Sequence, residues 1–327
     1  MSSSNYIKNV AIVGASGNSG SYMVKELLAT GKHTVTAISR IDSKNKLPEG
    51  VKVARVDYSK FDTLVEALNG QDALVITLSS VADHSQQDEL IKAAAKAGVS
   101  WIMPNDWAPD THHEGLVKDV TLFQGTVKTR KLIEETPGVS HLSVSTGYWY
   151  EWSLSIPGSY GFDLVKREVT FFDNGETKIS TSTWPQVGRA VAAILSLPIN
   201  PEGDAMGCLE DFRNKTFYVN SFTVSQRDMF ESALRVTGTK ESDWKITKEP
   251  AKERYHAGLK EFQNGDRRGF VKVMYTRVFY PDGNGDFESS RGVANELLGL
   301  PKESLDEATK AAIQRAIDIP GGYSVSK

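Results

Sequence analysis

Two hydrophobic periods alternate through the first half of the chain. Short apolar runs bounded by glycine or polar residues are followed by segments whose apolar positions recur every three or four residues. These are the marks of strand and helix in turn. The runs predict strands over residues 10–13, 33–39, 51–56, 73–78, 100–103 and 141–145. Met23, Val24, Leu27 and Leu28 share one side of a helix predicted over residues 21–30 and closed by Gly31. Phe61, Leu64, Val65 and Leu68 mark a second helix, Leu90, Ile91 and Ala94 a third that ends at Gly98, and residues 120–135 a fourth that stops before Pro137. Strands alternating with helices through short loops predict a doubly wound parallel sheet with right-handed crossovers.

After Tyr148 the pattern changes. Aromatics crowd at Tyr148, Trp149, Tyr150 and Trp152, and Phe171-Phe-Asp-Asn-Gly-Glu predicts a hairpin turning at Asn174-Gly175. Further helices are expected over residues 186–195, 226–236 and 305–316, with a returning strand over 216–220. No internal repeat or low-complexity segment interrupts the chain.

The composition is that of an ordinary soluble enzyme, 39% hydrophobic and 24% charged over 327 residues, enough for one large α/β unit and a smaller satellite. A formal net charge of −3 with no basic tract gives no reason to expect nucleic acid or membrane as a partner. The single Cys208 excludes an intrachain disulfide and reads as an incidental loop thiol. A start without an apolar core and the lack of any membrane-length run make the cytoplasm the expected location.

The chemistry starts at Val10-Ala-Ile-Val-Gly14-Ala-Ser-Gly17-Asn-Ser-Gly20, which reads strand, G-x-x-G-x-x-G, helix. The first glycine permits the turn out of the strand, the second lets backbone approach a pyrophosphate, and the third lets the helix pack on the sheet. Amides at the helix start then face the anion. Ser16, Asn18 and Ser19 complete this loop. The second strand ends Ile38-Ser39-Arg40, where an NAD-binding chain would place a carboxylate for the ribose diol. Arg40 can clamp a 2′-phosphate through its planar fork, with Ser39 as a short donor and Lys44 and Lys46 nearby. Asp42 argues the other way, since a small loop shift presents it to a ribose. Asp57, after the third strand, either meets the adenine amino group or starts the next helix. NADP(H) is the expected cofactor. Residues 1–150, with returning segments at about 180–222, are expected to form its domain, and residues 151–327 mainly a substrate domain.

With these residues the chain resembles the NmrA-like and isoflavone-reductase-like branch of atypical short-chain dehydrogenases, in particular the fungal CipA-like oxidoreductases. Gln87-Asp-Glu-Leu-Ile-Lys-Ala-Ala-Ala-Lys-Ala-Gly98 is similar to the family's Gln-led helix. Trp101-Ile-Met-Pro104-Asn105-Asp106-Trp107-Ala108 resembles its Pro-Ser-Glu-Phe-Gly segment, with every position after proline replaced. Trp184-Pro-Gln-Val-Gly-Arg189-Ala-Val stands where the family has Asp-Ile-Gly. The resemblance adds Thr77, Leu78, Ser79, Gln87, Pro104, Asn105 and Lys128 to the expected cofactor contacts. A Tyr-x-x-x-Lys pair is not evident. The isoflavone-reductase-like group instead carries a lysine on the helix after the fifth strand. Here that helix reads Thr126-Val-Lys128-Thr-Arg130-Lys131-Leu-Ile133-Glu134, and ungapped counting puts Thr126 at the lysine position. Two residues apart on a helix differ by about 200° in direction, so only one of Thr126 and Lys128 faces the site.

The expected catalytic groups are therefore Lys128, Asn105 and Tyr148. Trp107, Tyr148, Trp149 and Trp152 are the expected substrate wall, with interdomain packing as the other reading of the aromatic cluster. His112-His113 offers acid–base chemistry, and no metal spacing is completed. The leading expectation is an NADPH-dependent reductase of a small aromatic or polyketide-like molecule, acting on a carbonyl, imine or activated C=C bond. The alternatives are a redox-sensing regulator of the NmrA type, which binds a protein partner without turnover, and a redox-neutral isomerase or dehydratase. A homodimer stays open.

Overall fold

The computed structural model describes residues 4–79, 83–203 and 207–321. Its first half runs β1 (Asn9–Val13), α1 (Asn18–Ala29), β2 (Thr34–Arg40), β3 (Lys52–Val56), α2 (Phe61–Leu68), β4 (Ala73–Ile76), α3 (His84–Ala97), β5 (Trp101–Met103), α4 (Glu114–Asp119), α5 (Leu122–Glu135) and β6 (Ser140–Ser145). The second half contains β7 (Tyr148–Trp149), α6 (Tyr150–Ser155), β8 (Phe162–Asp163), β9 (Glu168–Phe172), β10 (Ile179–Ser182), α7 (Trp184–Leu195), β11 (Lys215–Tyr218) and β12 (Phe222–Val224). It ends with α8 (Gln226–Thr237), β13 (Lys245–Glu249), α9 (Ala251–Gln263), α10 (Arg267–Arg277), α11 (Phe287–Arg291) and α12 (Leu305–Asp318).

Seven strands form one parallel sheet in the order β3-β2-β1-β4-β5-β6-β11. The winding reverses between β1 and β4, which opens a crevice at their carboxyl ends. β1, β4 and β6 are buried almost throughout, as strands covered on both faces must be. One face carries Met23, Val24 and Leu27 of α1 with Val187, Val191, Ile194 and Leu195 of α7. The other carries Leu64 and Leu68 of α2 with Leu90, Ile91 and Ala94 of α3. Each such side chain contributes about 1.5–3 kcal/mol on burial. The helix ends follow local chemistry. Asp83 caps α3 through the Ser85 N–H, and Gly98 ends that helix at φ 79°. Thr183 caps α7, which has proline in its first turn, and Ser225 with Asp228 forms a capping box on α8. The Rossmann-type doubly wound sheet expected from the alternation is present.

Two small sheets, β12-β10-β7 and β13-β9-β8, pack around a second core that includes Tyr150, Phe162, Phe171, Phe230 and Phe279. The hairpin expected at Asn174-Gly175 does not form. The chain does turn there, with the Gly175 N–H donating to Phe172 O at 2.9 Å, but β9 pairs with β8 and β13 while β10 pairs with β7 and β12. The Gln226 side chain takes part of a partner strand's place, accepting the Phe172 N–H at 2.7 Å and donating to Thr170 O at 3.0 Å. Among the described residues no helix is long and apolar enough to cross a membrane.

Candidate functional site

The β1–α1 loop shows why each glycine is there. Gly14 has φ +82°, and a Cβ on it would lie 2.1 Å from Thr77 O on the β4 exit. A Cβ on Gly20 would lie 2.2 Å from Gly14 O, so these two positions serve close approach within the protein. Gly17 differs. Its φ is an ordinary −75°, and an added Cβ would meet only Gly14 O at 3.1 Å. It faces the crevice, where a side chain would take space from a ligand. No side chain caps α1 and no acid stands in its first turn. Side chains do cap α3, α7, α8, α10 and α12. A glycine-rich loop leading into an uncapped helix start fits a pyrophosphate.

The loop opens into a cavity of about 740 Å³. Ser16, Gly17, Asn18 and Ser19 line one end and Thr77, Leu78, Ser79, Gln87 and Asn105 the middle. Trp107, Trp149, Trp152 and Trp184 wall the rest, with Leu122, Phe123 and Thr126 of α5. Asn105 is held from two sides. Its N–H donates to Gln87 Oε1 at 2.8 Å and its Nδ2 to Leu78 O at 3.1 Å. Gln87 is itself buried and donates to Thr129 Oγ1 at 3.0 Å. Pro104 lies buried behind the lining, and its carbonyl accepts the Asp106 N–H at 2.7 Å in the turn that presents Asn105. Asp106 pairs with Arg130 of α5 at 2.5 Å, both buried. Burial pushes the Asp106 carboxyl up to about 6, and the Arg130 guanidinium beside it opposes that rise. The pair fastens α5 to the exit of β5.

The tryptophan end has its own framework. Trp107 Nε1 donates to Ile76 O at 2.9 Å, Trp152 meets Trp184 edge-on at 6.1 Å, and Trp184 stacks on Tyr22 of α1 at 6.3 Å. The Arg315 guanidinium lies 4.5 Å from the Trp152 ring centre. Trp184 was not among the expected wall residues. Its sequence signal was its place between the cap Thr183 and Pro185, where α7 starts at the crevice.

Several expected site residues lie elsewhere. Tyr148 is buried in the second core, its hydroxyl donating to Met274 O at 3.0 Å and its ring 4.6 Å from Tyr275. The packing reading describes Tyr148, while Trp149 and Trp152 reach the cavity. Lys128 is exposed on α5 and does not line the cavity, whereas Thr126 does. The buried side of α5 carries Phe123, Thr129, Arg130 and Ile133. Gly20 is occupied in packing. Ser39 and Arg40 lie at the end of β2, outside the cavity lining, with Arg40 Nε 3.6 Å from Asp42 Oδ1. Asp57 accepts the Ser59 N–H and hydroxyl at 3.0 and 2.7 Å and pairs with Lys60 in the turn between β3 and α2, three residues before the Lys60 cap of that helix. The Ser59 bonds hold its carboxyl below the ordinary range. His112 bonds Thr216 Oγ1 at 2.7 Å and His113 caps α4. Cys208 is buried, 3.3 Å from Asp211 Oδ2. No cluster of His, Cys, Asp and Glu able to hold a metal occurs among the described residues.

Comparison with known proteins agrees with this geometry. Residues 14–105 match a family described as NAD(P)H-binding. The chain is 29% identical to oxidoreductase aprR of Aspergillus flavus over 312 residues, covering 93% of this chain and 98% of that one. The crystal structure of isoflavone reductase superposes with a TM-score of 0.73 at 18% identity, covering 94% and 99%. The NADPH complex of an NADPH-dependent quinone oxidoreductase from Escherichia coli does so with a TM-score of 0.66 at 20% identity, covering 92% and 98%. The chain carries an NAD(P)H-binding domain and shares its fold with isoflavone reductase.

Proposed function

We propose that this chain is an NADPH-dependent oxidoreductase that reduces a flat apolar or aromatic small molecule at a carbonyl, imine or activated C=C bond. The carrying observation is that one cavity joins the glycine loop to Trp107, Trp149, Trp152 and Trp184. The relatives named as oxidoreductases from Aspergillus flavus and Escherichia coli support the class. Amides at Asn18 and Ser19 receive the pyrophosphate, while the Gly17 N–H closes the loop on Gly14 O at 2.8 Å, and Ser39 and Arg40 receive the 2′-phosphate. Thr77, Leu78 and Ser79 line the path past the β4 exit, where Gln87 and Asn105 bound it. Bound there, the nicotinamide supplies hydride. The chain's part is to hold the substrate flat against the indoles, exclude bulk water and meet the charge that grows on the substrate heteroatom. The Asn105 amide and the Thr126 hydroxyl are the polar groups placed for that task, through a water that delivers the proton. In this reading the segment after residue 150 serves mainly the substrate.

The second reading is an NADP-binding redox sensor without turnover. It is favoured by the position of Lys128, since no lysine of α5 lines the cavity. Following NADPH absorbance with aromatic ketones, imines, enones and quinones decides between them. Saturable consumption with one class supports the reductase, and tight NADPH binding with no consumption by any class favours the sensor.

A further inference from the structure

We propose that Arg55, on β3, is a second cation of the 2′-phosphate site and sets cofactor preference together with Arg40. This rests on the reading of the chain as NADPH-dependent. The parallel register of β2 and β3 sets Ser39 beside Arg55 and Arg40 beside Val56, at the carboxyl ends of both strands. β1, with the glycine loop at its own end, lies on the other side of β2. A dinucleotide whose pyrophosphate sits on that loop has its adenosine over the end of β2.

Arg55 is tied to this corner by one nitrogen. Its Nη1 donates to Ser39 Oγ at 3.0 Å, Arg40 O at 3.1 Å and Ser43 O at 3.0 Å. The same turn is closed by the Ser43 N–H on Arg40 O at 3.0 Å and anchored by the Ile41 N–H on Val56 O at 2.9 Å. Arg55 therefore fixes the backbone from which the Arg40 side chain departs. Among the described residues no acceptor takes its Nε or Nη2 and no carboxylate pairs with it. A guanidinium held by one nitrogen keeps the rest of its planar fork for another anion.

Charge balance favours the same role. A phosphate monoester carries about −1.5 to −2 charges at neutral pH. Arg40 already has the Asp42 carboxylate 3.6 Å away, which offsets part of its charge. Lys44 and Lys46 of the following loop can add charge on long flexible stems, and the uncompensated Arg55 in the next strand adds a fixed planar fork beside Arg40. A free ribose 2′-hydroxyl would draw nothing from Arg55.

Calorimetric titration of NADPH and NADH into the full chain and its Arg40→Ala, Arg55→Ala and Arg55→Lys variants tests this, with melting temperature as the check on folding. Arg55→Ala should weaken NADPH about tenfold and NADH less than about twofold. Arg55→Lys should recover part of the loss, because it keeps the charge without the fork. Unchanged NADPH affinity in Arg55→Ala, or an equal loss for both cofactors, overturns the proposal and leaves NADPH dependence intact. Equal affinity of the unmutated chain for both cofactors overturns the NADPH reading, and the Arg55 role with it.

Discussion

Valine at position 17 separates ligand space from backbone strain. Gly17 has φ −75° and only one near neighbour for a Cβ, so Gly17→Val needs no left-handed backbone, only a shift of a few tenths of an ångström at Gly14 O. It should abolish NADPH binding while the melting temperature stays within a few degrees, read by calorimetry beside thermal unfolding. Arg40→Ala should cost NADPH affinity and spare NADH. Since the side chain is 64% exposed, the loss belongs near the lower end of the 1.5–3 kcal/mol typical of hydrogen bonds to charged groups. Asp42→Asn removes the competing carboxylate and should tighten NADPH in the same titration. At this scale the glycine loop was legible because its spacing carries its geometry. The register of α5 was not. Val127, the apolar residue between Thr126 and Lys128, is 38% exposed, and the buried side runs through Phe123, Arg130 and Ile133. A buried arginine reads as surface in a hydrophobic pattern, and its partner Asp106 is distant in sequence. Lys128→Ala should accordingly turn over normally, and Thr126→Val should slow single-turnover NADPH oxidation by about a hundredfold, the lower end for a positioned acid–base group.

Between elements, the aromatic cluster after β6 divides. Tyr148 of β7 is packed against α10, so Tyr148→Ala should destabilise the chain by about 3–5 kcal/mol in urea unfolding and leave NADPH affinity per folded molecule unchanged. Trp152→Ala should raise the substrate KM with a smaller effect on unfolding, because the ring is half-buried and borders the cavity. Glu151, between them on α6, is buried and accepts the Trp184 N–H through both oxygens at 3.2 and 3.3 Å. Burial pushes its carboxyl from 4.5 up to about 7. A raised native value means that the folded chain keeps a proton that the unfolded chain loses, so stability is full below about 4.5 and declines as pH rises to about 7. Glu151→Gln removes that titration. The melting temperature of the unmutated chain relative to this variant should therefore fall across that window and level off above it. The elements of the second half were harder to read than those of the first for a physical reason. Their strands are short, pair far along the chain, and in β13 are almost wholly exposed, so no period of two stands out. The turn at Asn174-Gly175 was legible, but turn chemistry does not say which strands a chain will join.

For the whole molecule, the sheet order puts the glycine loop at the reversal between β1 and β4, and the alternation of periods was enough to anticipate that. The cavity was only half legible, because its tryptophan end gathers residues from the β5 exit, β7, α6 and α7. A ligand that binds only the folded chain raises its apparent stability by about 2.7 kcal/mol at one hundred times its Kd. At equal concentration NADPH should therefore raise the melting temperature more than NADH, and the difference should shrink in Arg40→Ala.

The contact between α1 and α7 carries this further. Gly188 lacks the Cβ that would lie 2.7 Å from Tyr22 O, so the two helices touch at the backbone, and one turn away Tyr22 stacks on Trp184. The helix that starts at the pyrophosphate loop and the helix that starts at the tryptophan wall thus share one rigid joint. A shift of the indole on filling by a flat ligand would press on Tyr22, which belongs to the helix beneath the loop. Such cross-talk is reciprocal by thermodynamic necessity. Whatever factor NADPH lends to the affinity of an aromatic ligand, that ligand must return to NADPH, and cutting the joint with Tyr22→Ala should bring both factors toward one together.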